Sequence, residues 1–281
     1  MHKNSAFTIT ALAGALLLSS CAQGGASNPE YKAKIDYANN LITLPMDEYD
    51  YDDASRVVIN EASARIMQIC YVSKGYSDAV PVFYDNPHNN IYGAWNVEYA
   101  KKYGYAKKYG YANEEKAREA EQTIEKIPKD IGRQCRKEKA NQLKEIEYEN
   151  DNDSFAYRLR QEAYASAKSN PEWNKVRSEW WSCLESNGLT PRKDDQAWSS
   201  QEAFNIGVSS KSEEEKTQES IRLATIEAEC NQKVGMAQRL GDIEASYQGP
   251  LIEKNQAKLN QLKEEKEKHV AKAREIIATS Q

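Results

Sequence analysis

Two stretches of this chain finish alike, with an apolar stripe at helical spacing, a cysteine, and a glycine five residues further on. Ile59, Ala62, Ile66 and Ile69 lead into Cys70 and Gly75, while Val176, Trp180 and Leu184 surround Cys183 and Gly188 comes after them. Each glycine sits where a helix C-cap favours a left-handed residue. The second stretch has a legible start, with Asn170 as N-cap and Pro171 at the first helical position. A second cysteine comes after each stretch in a charged helical segment, Cys135 lying 65 residues after Cys70 and Cys230 lying 47 after Cys183. A weak internal duplication accounts for this pattern. Among the three pairings that four cysteines allow, it favours Cys70–Cys135 and Cys183–Cys230. The alternative is four free cysteines buried as small hydrophobes. Closing loops of this size contributes about 4 kcal/mol each in the chain-entropy model.

Whether the thiols oxidise depends on the compartment, and the first residues address that. Met1-His2-Lys3 is a short basic start, and Phe7 to Leu18 is a run of small and apolar residues suited to an export signal and too short to span a bilayer comfortably. The run ends in Leu18-Ser19-Ser20-Cys21, which looks like a bacterial lipobox. In that class of signal the Cys21 thiol is acylated with a diacylglyceryl group, palmitate being a typical acyl chain, and cleavage makes Cys21 the first mature residue. More than one acyl chain gives stable anchoring. An ordinary secretory signal or a buried helix is the competing interpretation. Residues 1–20 are thus expected to be a lipoprotein signal peptide, and 21–29 the lipidated cysteine with a short flexible tether. Of 281 residues, 261 remain after cleavage; with Lys3 gone, 37 basic face 43 acidic side chains, a net charge of −6. The expected location is the extracytoplasmic face of the cell membrane, held by lipid, where disulfides persist.

The rest of the chain reads as mainly α. The full chain has only 13 glycines and 8 prolines, which disfavours a turn-rich β-sandwich. The acidic balance disfavours nucleic acid as a partner. The expected architecture is a disulfide-braced helical ectodomain of two weakly related helical halves, 30–150 with a Tyr-rich repeat and 151–281 with a long charged C-terminal helix. Helices are expected over about 28–42, 154–168, 171–188, 213–240 and 250–277, with a bend at Gly249-Pro250, and over much of 91–148 with breaks at Gly104, Gly110 and Pro128. Thr190 to Ser210 reads as a polar connection, and Val80 to Tyr84 is the one strand candidate. Asp47 to Asp53 places five carboxylates in seven residues. They suit an acidic helix start, since the spacing and glycine of a calcium loop are missing.

Tyr99–Gly104 and Tyr105–Gly110 repeat the hexapeptide YAKKYG. Six residues are not two whole helical turns, so each copy rotates the succeeding residues by about 120°. This favours a surface arm or adaptable segment over a central element. Tyr92, Trp95, Tyr99 and Tyr103 form a stripe that either covers the core or presents an aromatic, basic surface to a protein or wall polymer. They are the binding candidates. No HExxH, GxSxG, P-loop or GxGxxG pattern occurs, and the mature chain has two histidines, His88 and His269, each without a nearby cysteine or metal set. No catalytic residue, metal ligand or cofactor is therefore assigned, and the chain is expected not to be an enzyme.

The order of features resembles the uncharacterised exported lipoproteins of actinobacteria. The residues that carry the resemblance are Leu44-Pro45-Met46-Asp47-Glu48-Tyr49 before the Cys70–Gly75 helix, Tyr92-Gly93, Trp180 with Cys183–Gly188, Ile226 to Cys230, and the charged C-terminal helix. Tyr71 departs from the pattern, where such proteins often carry Met, as does the duplicated hexapeptide. The resemblance implies lipid anchoring, a helical disulfide-linked ectodomain and, by analogy, an accessory role beside an export transporter. The expected function is that of a non-enzymatic interaction or accessory protein of the cell envelope, with the membrane and an envelope protein as partners. The alternative is a solute- or wall-glycan-binding lipoprotein using the Tyr84–Tyr111 segment.

Overall fold

The computed structural model describes residues 25–79, 89–105, 120, 122–147, 154–194, 197–206, 209 and 211–279. The lipobox Leu18–Cys21, the strand candidate Val80–Tyr84, Gly110 and the second hexapeptide after Tyr105 lie outside the described residues. Among the described residues, no helix is long and apolar enough to cross a membrane.

The first segment overturns the expectation of a helix over 28–42. Strand β1 (Lys34–Asp36) instead pairs antiparallel with β2 (Leu41–Thr43), Ile35 facing Ile42. The physical reason is local. The Asp36 carboxylate accepts hydrogen bonds from the Ala38 and Asn39 amides at 3.0 and 3.1 Å, and Asn40 adopts a left-handed φ of 51°. Such an Asx turn competes directly with helix. Burial of Ala33, Ile42 and Leu44, with Lys34 and Asp36 exposed, completes the choice.

A 3₁₀ turn over Pro45–Tyr49 leads to helix α1 (Asp53–Ser73), whose N-cap Asp52 accepts from the Ser55 amide at 2.8 Å. The acidic run thus starts a helix, as its composition suggests. Ile59, Ala62, Ile66 and Cys70 form the buried stripe, whereas Ile69 is 49% exposed. Cys70 takes the position on the stripe that Ile69 would otherwise hold.

Helix α2 (Val97–Tyr103) carries most of the first hexapeptide and lays Ala100 against Ala224 and Ala228. It stops at Gly104, φ 62°, where a Cβ would collide with Ser220 and the Ile221 amide. Farther along lie α3 (Lys129–Glu138), starting after Pro128, α4 (Ala140–Lys144) and α5 (Phe155–Lys168), capped by Ser154. Then come α6 (Pro171–Ser186), capped by Asn170, α7 (Gln201–Asn205) within the polar connection, and α8 (Glu213–Val234).

Helix α8 ends at Gly235, φ 65°, and α9 (Met236–Thr279) begins at once. The expected boundaries at Leu240 and Gly249-Pro250 are therefore wrong. Pro250 lies inside α9, and the departure from helical geometry comes at Asn255, whose side chain donates to the Leu251 carbonyl at 2.8 Å. Gly249 has a packing role instead: the Tyr31 ring lies against it where a Cβ would overlap.

The first part of α9 is buried on nearly every side, Met236, Leu240, Glu244, Ala245 and Gln248 included. It joins Tyr92, Trp95, Trp173, Trp180, Leu184 and Leu223 in the main core. Farther along, Val270 and Ala273 pack with Ile59, Ala62, Ile66 and Ile146, so the end of the chain lies along α1. Two disulfides brace this arrangement. Cys70–Cys135 joins α1 to α3 and Cys183–Cys230 joins α6 to α8, the pairing that the duplication favours.

Candidate functional site

A cavity of about 570 Å³ opens between β2, the start of α1, α5 and the first part of α9. That volume is within the ~300–1,000 Å³ of small-molecule sites. Its lining combines an apolar strand, four aromatic side chains and five ionisable ones.

The strand comes from the hairpin. Asn89 holds it by donating to the Ile42 carbonyl at 2.8 Å and accepting from the Ile42 amide at 3.1 Å, so a side-chain amide satisfies one residue of the open β2 edge. Tyr92, three residues on, reaches the floor. Its hydroxyl donates to Glu244 Oε2 at 2.7 Å, and Gln248 Nε2 donates to Glu244 Oε1 at 3.3 Å. Gln248 in turn accepts from the Met46 amide at 2.8 Å.

Glu244 is 4% exposed, and its carboxyl is raised from an ordinary 4.5 to about 7. Burial is the main cause, the Asp47 charge adds to it, and the Tyr92 hydroxyl, Arg160 and Gln248 oppose it. Burial likewise holds the Tyr92 hydroxyl well above its usual range, so this group is a donor at all ordinary pH. The floor of the cleft thus carries a carboxyl that exchanges a proton near neutrality.

The charged wall comes from the acidic run and α5. Arg160 lies 3.2 Å from Asp47 and 3.1 Å from Asp50, while the second Asp47 oxygen accepts from the Leu44 amide at 2.7 Å. Lys266 of α9 donates to the Asp47 and Asp50 carbonyls at 3.2 and 2.9 Å, and Lys263 pairs with Glu48. Arg56 Nε donates to the Tyr51 carbonyl at 2.6 Å. Among the described residues, no three His, Cys, Asp or Glu side chains are grouped so as to hold a metal ion.

The aromatic wall is Tyr51, Tyr92, Tyr164 and Trp198. Trp198 is placed from behind by Arg177, whose guanidinium lies 4.8 Å from the ring centroids of both Trp181 and Trp198. Arg177 also donates to the carbonyls of Asp194 and Ala197 at 2.7 and 3.2 Å, securing the connection that carries Trp198.

Of the binding candidates, Tyr92 and Trp95 are 1% and 2% exposed and belong to the core, although an edge of Tyr92 reaches the cavity. Trp95 Nε1 donates to the Asn89 carbonyl at 2.9 Å and so supports the strand wall. Tyr99 and Tyr103 pack against each other on α2 with tilted rings, centroids 4.8 Å apart, away from the cavity lining. His269 is partly buried, its Nδ1 2.6 Å from the Tyr51 hydroxyl. The sequence contexts of Arg160, Trp198 and Glu244 do not single them out. One signal does mark Glu244: with Leu240 and Gln248 it falls on the stripe of a helix turned to the core.

The chain matches no protein-family profile, and no curated protein or solved structure is significantly similar to it.

Proposed function

We propose that this protein is a lipid-anchored, non-enzymatic accessory protein of the cell envelope, held at the extracytoplasmic face through Cys21, and that it binds a small polar solute in the cleft. The leader and Leu18-Ser19-Ser20-Cys21 support the anchoring. The cleft carries the binding function: it has ligand-sized volume, and hydrogen bonds or ion pairs hold Asn89, Tyr92, Arg160 and Glu244 of its lining in place. Pre-organised polar groups beside aromatic and apolar surface are what small-solute recognition needs. Asp47, Asp52 and Glu244 each accept a hydrogen bond from the protein itself, which fixes their positions in the lining.

Anchoring is tested by Cys21→Ser, expected to move the protein from the membrane to the soluble fraction; continued lipid labelling of that variant would refute it. Binding is tested with the full chain in detergent by thermal shift against sugars, amines, amino acids and carboxylates. A ligand at 100 times its Kd adds about 2.7 kcal/mol of stability. Gln161→Trp, a bulky change at an exposed lining position, should abolish the shift and leave the unliganded melting temperature unchanged. A shift that survives this substitution places the ligand elsewhere.

A further inference from the structure

Another cavity, of about 490 Å³, runs as an open groove between α1 and the α3–α4 segment. The pairing of these elements gives its direction. Cys70 of α1 is bonded to Cys135 of α3 at one end, and Ile59 packs with Ile146 at the other. Met67 and Arg136 therefore line the disulfide end, and Glu147 lies toward Ile59, eight residues or about 12 Å farther back along α1. Between them the wall is apolar, built from Ile59, Ala64, Met67, Leu143 and Ile146. Ala64, Met67 and Leu143 are only half-buried, so an acyl chain laid against them removes apolar surface from water. The thioether of Met67 adapts to chains of different shape.

Charge is concentrated at the disulfide end. Lys129, Arg133, Arg136 and Lys137, at i, i+4, i+7 and i+8, share the solvent side of α3, opposite the buried Cys135. Lys74 pairs with Glu138 at 2.8 Å, Lys139 also acts on that carboxylate, and Asp130 is the other acid of the helix. Six cations thus accompany two carboxylates there, in a chain whose net charge is −5. Toward Glu147 the excess is gone. Lys144, Lys272 and Arg65 are matched by Glu145, Glu275, Glu61 and Glu147 itself. The side chains of Asn60, Ser63 and Arg136, all on the lining, make no hydrogen bond or ion pair among the described residues.

We infer that this groove binds an anionic amphiphile, a single acyl chain ending in a carboxylate or a phosphate. The acid head sits on Arg136, whose planar guanidinium suits either group, and the chain runs toward Ile59 and Ile146. Ser63 and Asn60 add donors beside the chain. A cationic head meets like charge, a neutral head leaves the guanidinium unmatched, and a wholly polar anion forgoes the apolar wall. The groove shares no lining residue with the cleft, so this inference is independent of solute binding there.

The test is photo-crosslinking of the full chain in phosphatidylcholine nanodiscs, using tetradecanoate with a diazirine on its chain, followed by peptide mapping. Saturable adducts should fall in the 59–67 and 140–147 segments. Unlabelled tetradecanoate and tetradecyl phosphate should compete, and the one effective at the lower concentration identifies the preferred head. Tetradecanol and tetradecyltrimethylammonium should need about tenfold more, the worth of one charge-assisted hydrogen bond. Arg136→Gln should weaken labelling by about the same factor. Ala140→Trp, at an exposed lining position, should abolish it and leave the unliganded melting temperature unchanged. Adducts that do not saturate or lie outside these segments overturn the inference. So does equal competition by tetradecanol, or labelling that survives Ala140→Trp.

Discussion

The two disulfides close the same kind of helix pair in unlike surroundings. Around Cys183–Cys230, Trp173, Val176, Trp180, Leu184 and Leu223 are buried in the main core, and Arg177 ties α6 to the connection carrying Trp198. Around Cys70–Cys135 the apolar contacts are Ile59, Ala62 and Ile66 with Ile146, Val270 and Ala273, while Ile69 and Val72 are 49% and 46% exposed. A Cys-x4-Gly helix in the sequence is therefore compatible with a dense or a thin environment. Where apolar burial is thin, the covalent link carries more of the local stability.

The largest expected effect lies on the dense side. Trp180→Ala, at a fully buried ring, should cost about 3–5 kcal/mol in urea denaturation. Ile66→Ala on the thin side should cost less, about 2–3 kcal/mol, and a larger loss there would erase the contrast.

Replacing either cysteine pair by alanine removes a loop constraint worth about 4 kcal/mol, for closures of 65 and 47 residues. The global losses should be similar. Amide exchange should separate the pairs: α3 should open locally without Cys70–Cys135, whereas α6 and α8 should keep their protection without Cys183–Cys230. Equal local opening would show that the core does not hold α6 and α8 by itself.

The polar interior of the dense side gives a pH test. Because the Glu244 pKa is raised from 4.5 to about 7 on folding, the folded state holds the proton longer. Stability should fall as pH rises from 4.5 to 7, by about 3 kcal/mol if the full shift is expressed. Glu227, also raised by burial, acts in the same direction, and Glu244→Gln should flatten most of the slope. Glu138, on the thin side, is lowered by hydrogen bonds from Lys74 and Gln134, so its contribution is lost only in stronger acid. A flat profile from 4.5 to 7 in the unsubstituted chain would remove Glu244 as the titrating group. The smallest effect is at the α1 cap, where Asp52→Ala should cost about 1 kcal/mol.

Much of the helical frame was legible because its signals are local. Ser154, Asn170 and the glycines at 104 and 188 mark helix ends through capping or positive φ, and the structure ends helices beside them. The cysteine pairing was legible through a repeated spacing. The hairpin was not, since the apolar residues of 33–44 suit two periodicities and the Asp36 turn decides between them. The α8–α9 boundary was missed because Gly235 competes with the stronger-looking Gly249-Pro250, whose glycine serves a contact with Tyr31 more than 200 residues away in sequence.

The site was less legible still. Asn89, Arg160, Trp198 and Glu244 come from four separate segments and become one lining only when α5 and α9 lie beside the hairpin. By itself the amino-acid sequence determined the helical class, the helix caps and the cysteine spacing, because backbone conformation and loop closure depend on near neighbours and chain connectivity. Only the tertiary structure decided which charges are buried, since desolvation is a property of what surrounds a side chain in space. That is why Glu244, one of many acids in the sequence, has its carboxyl held at about 7 in the cleft floor.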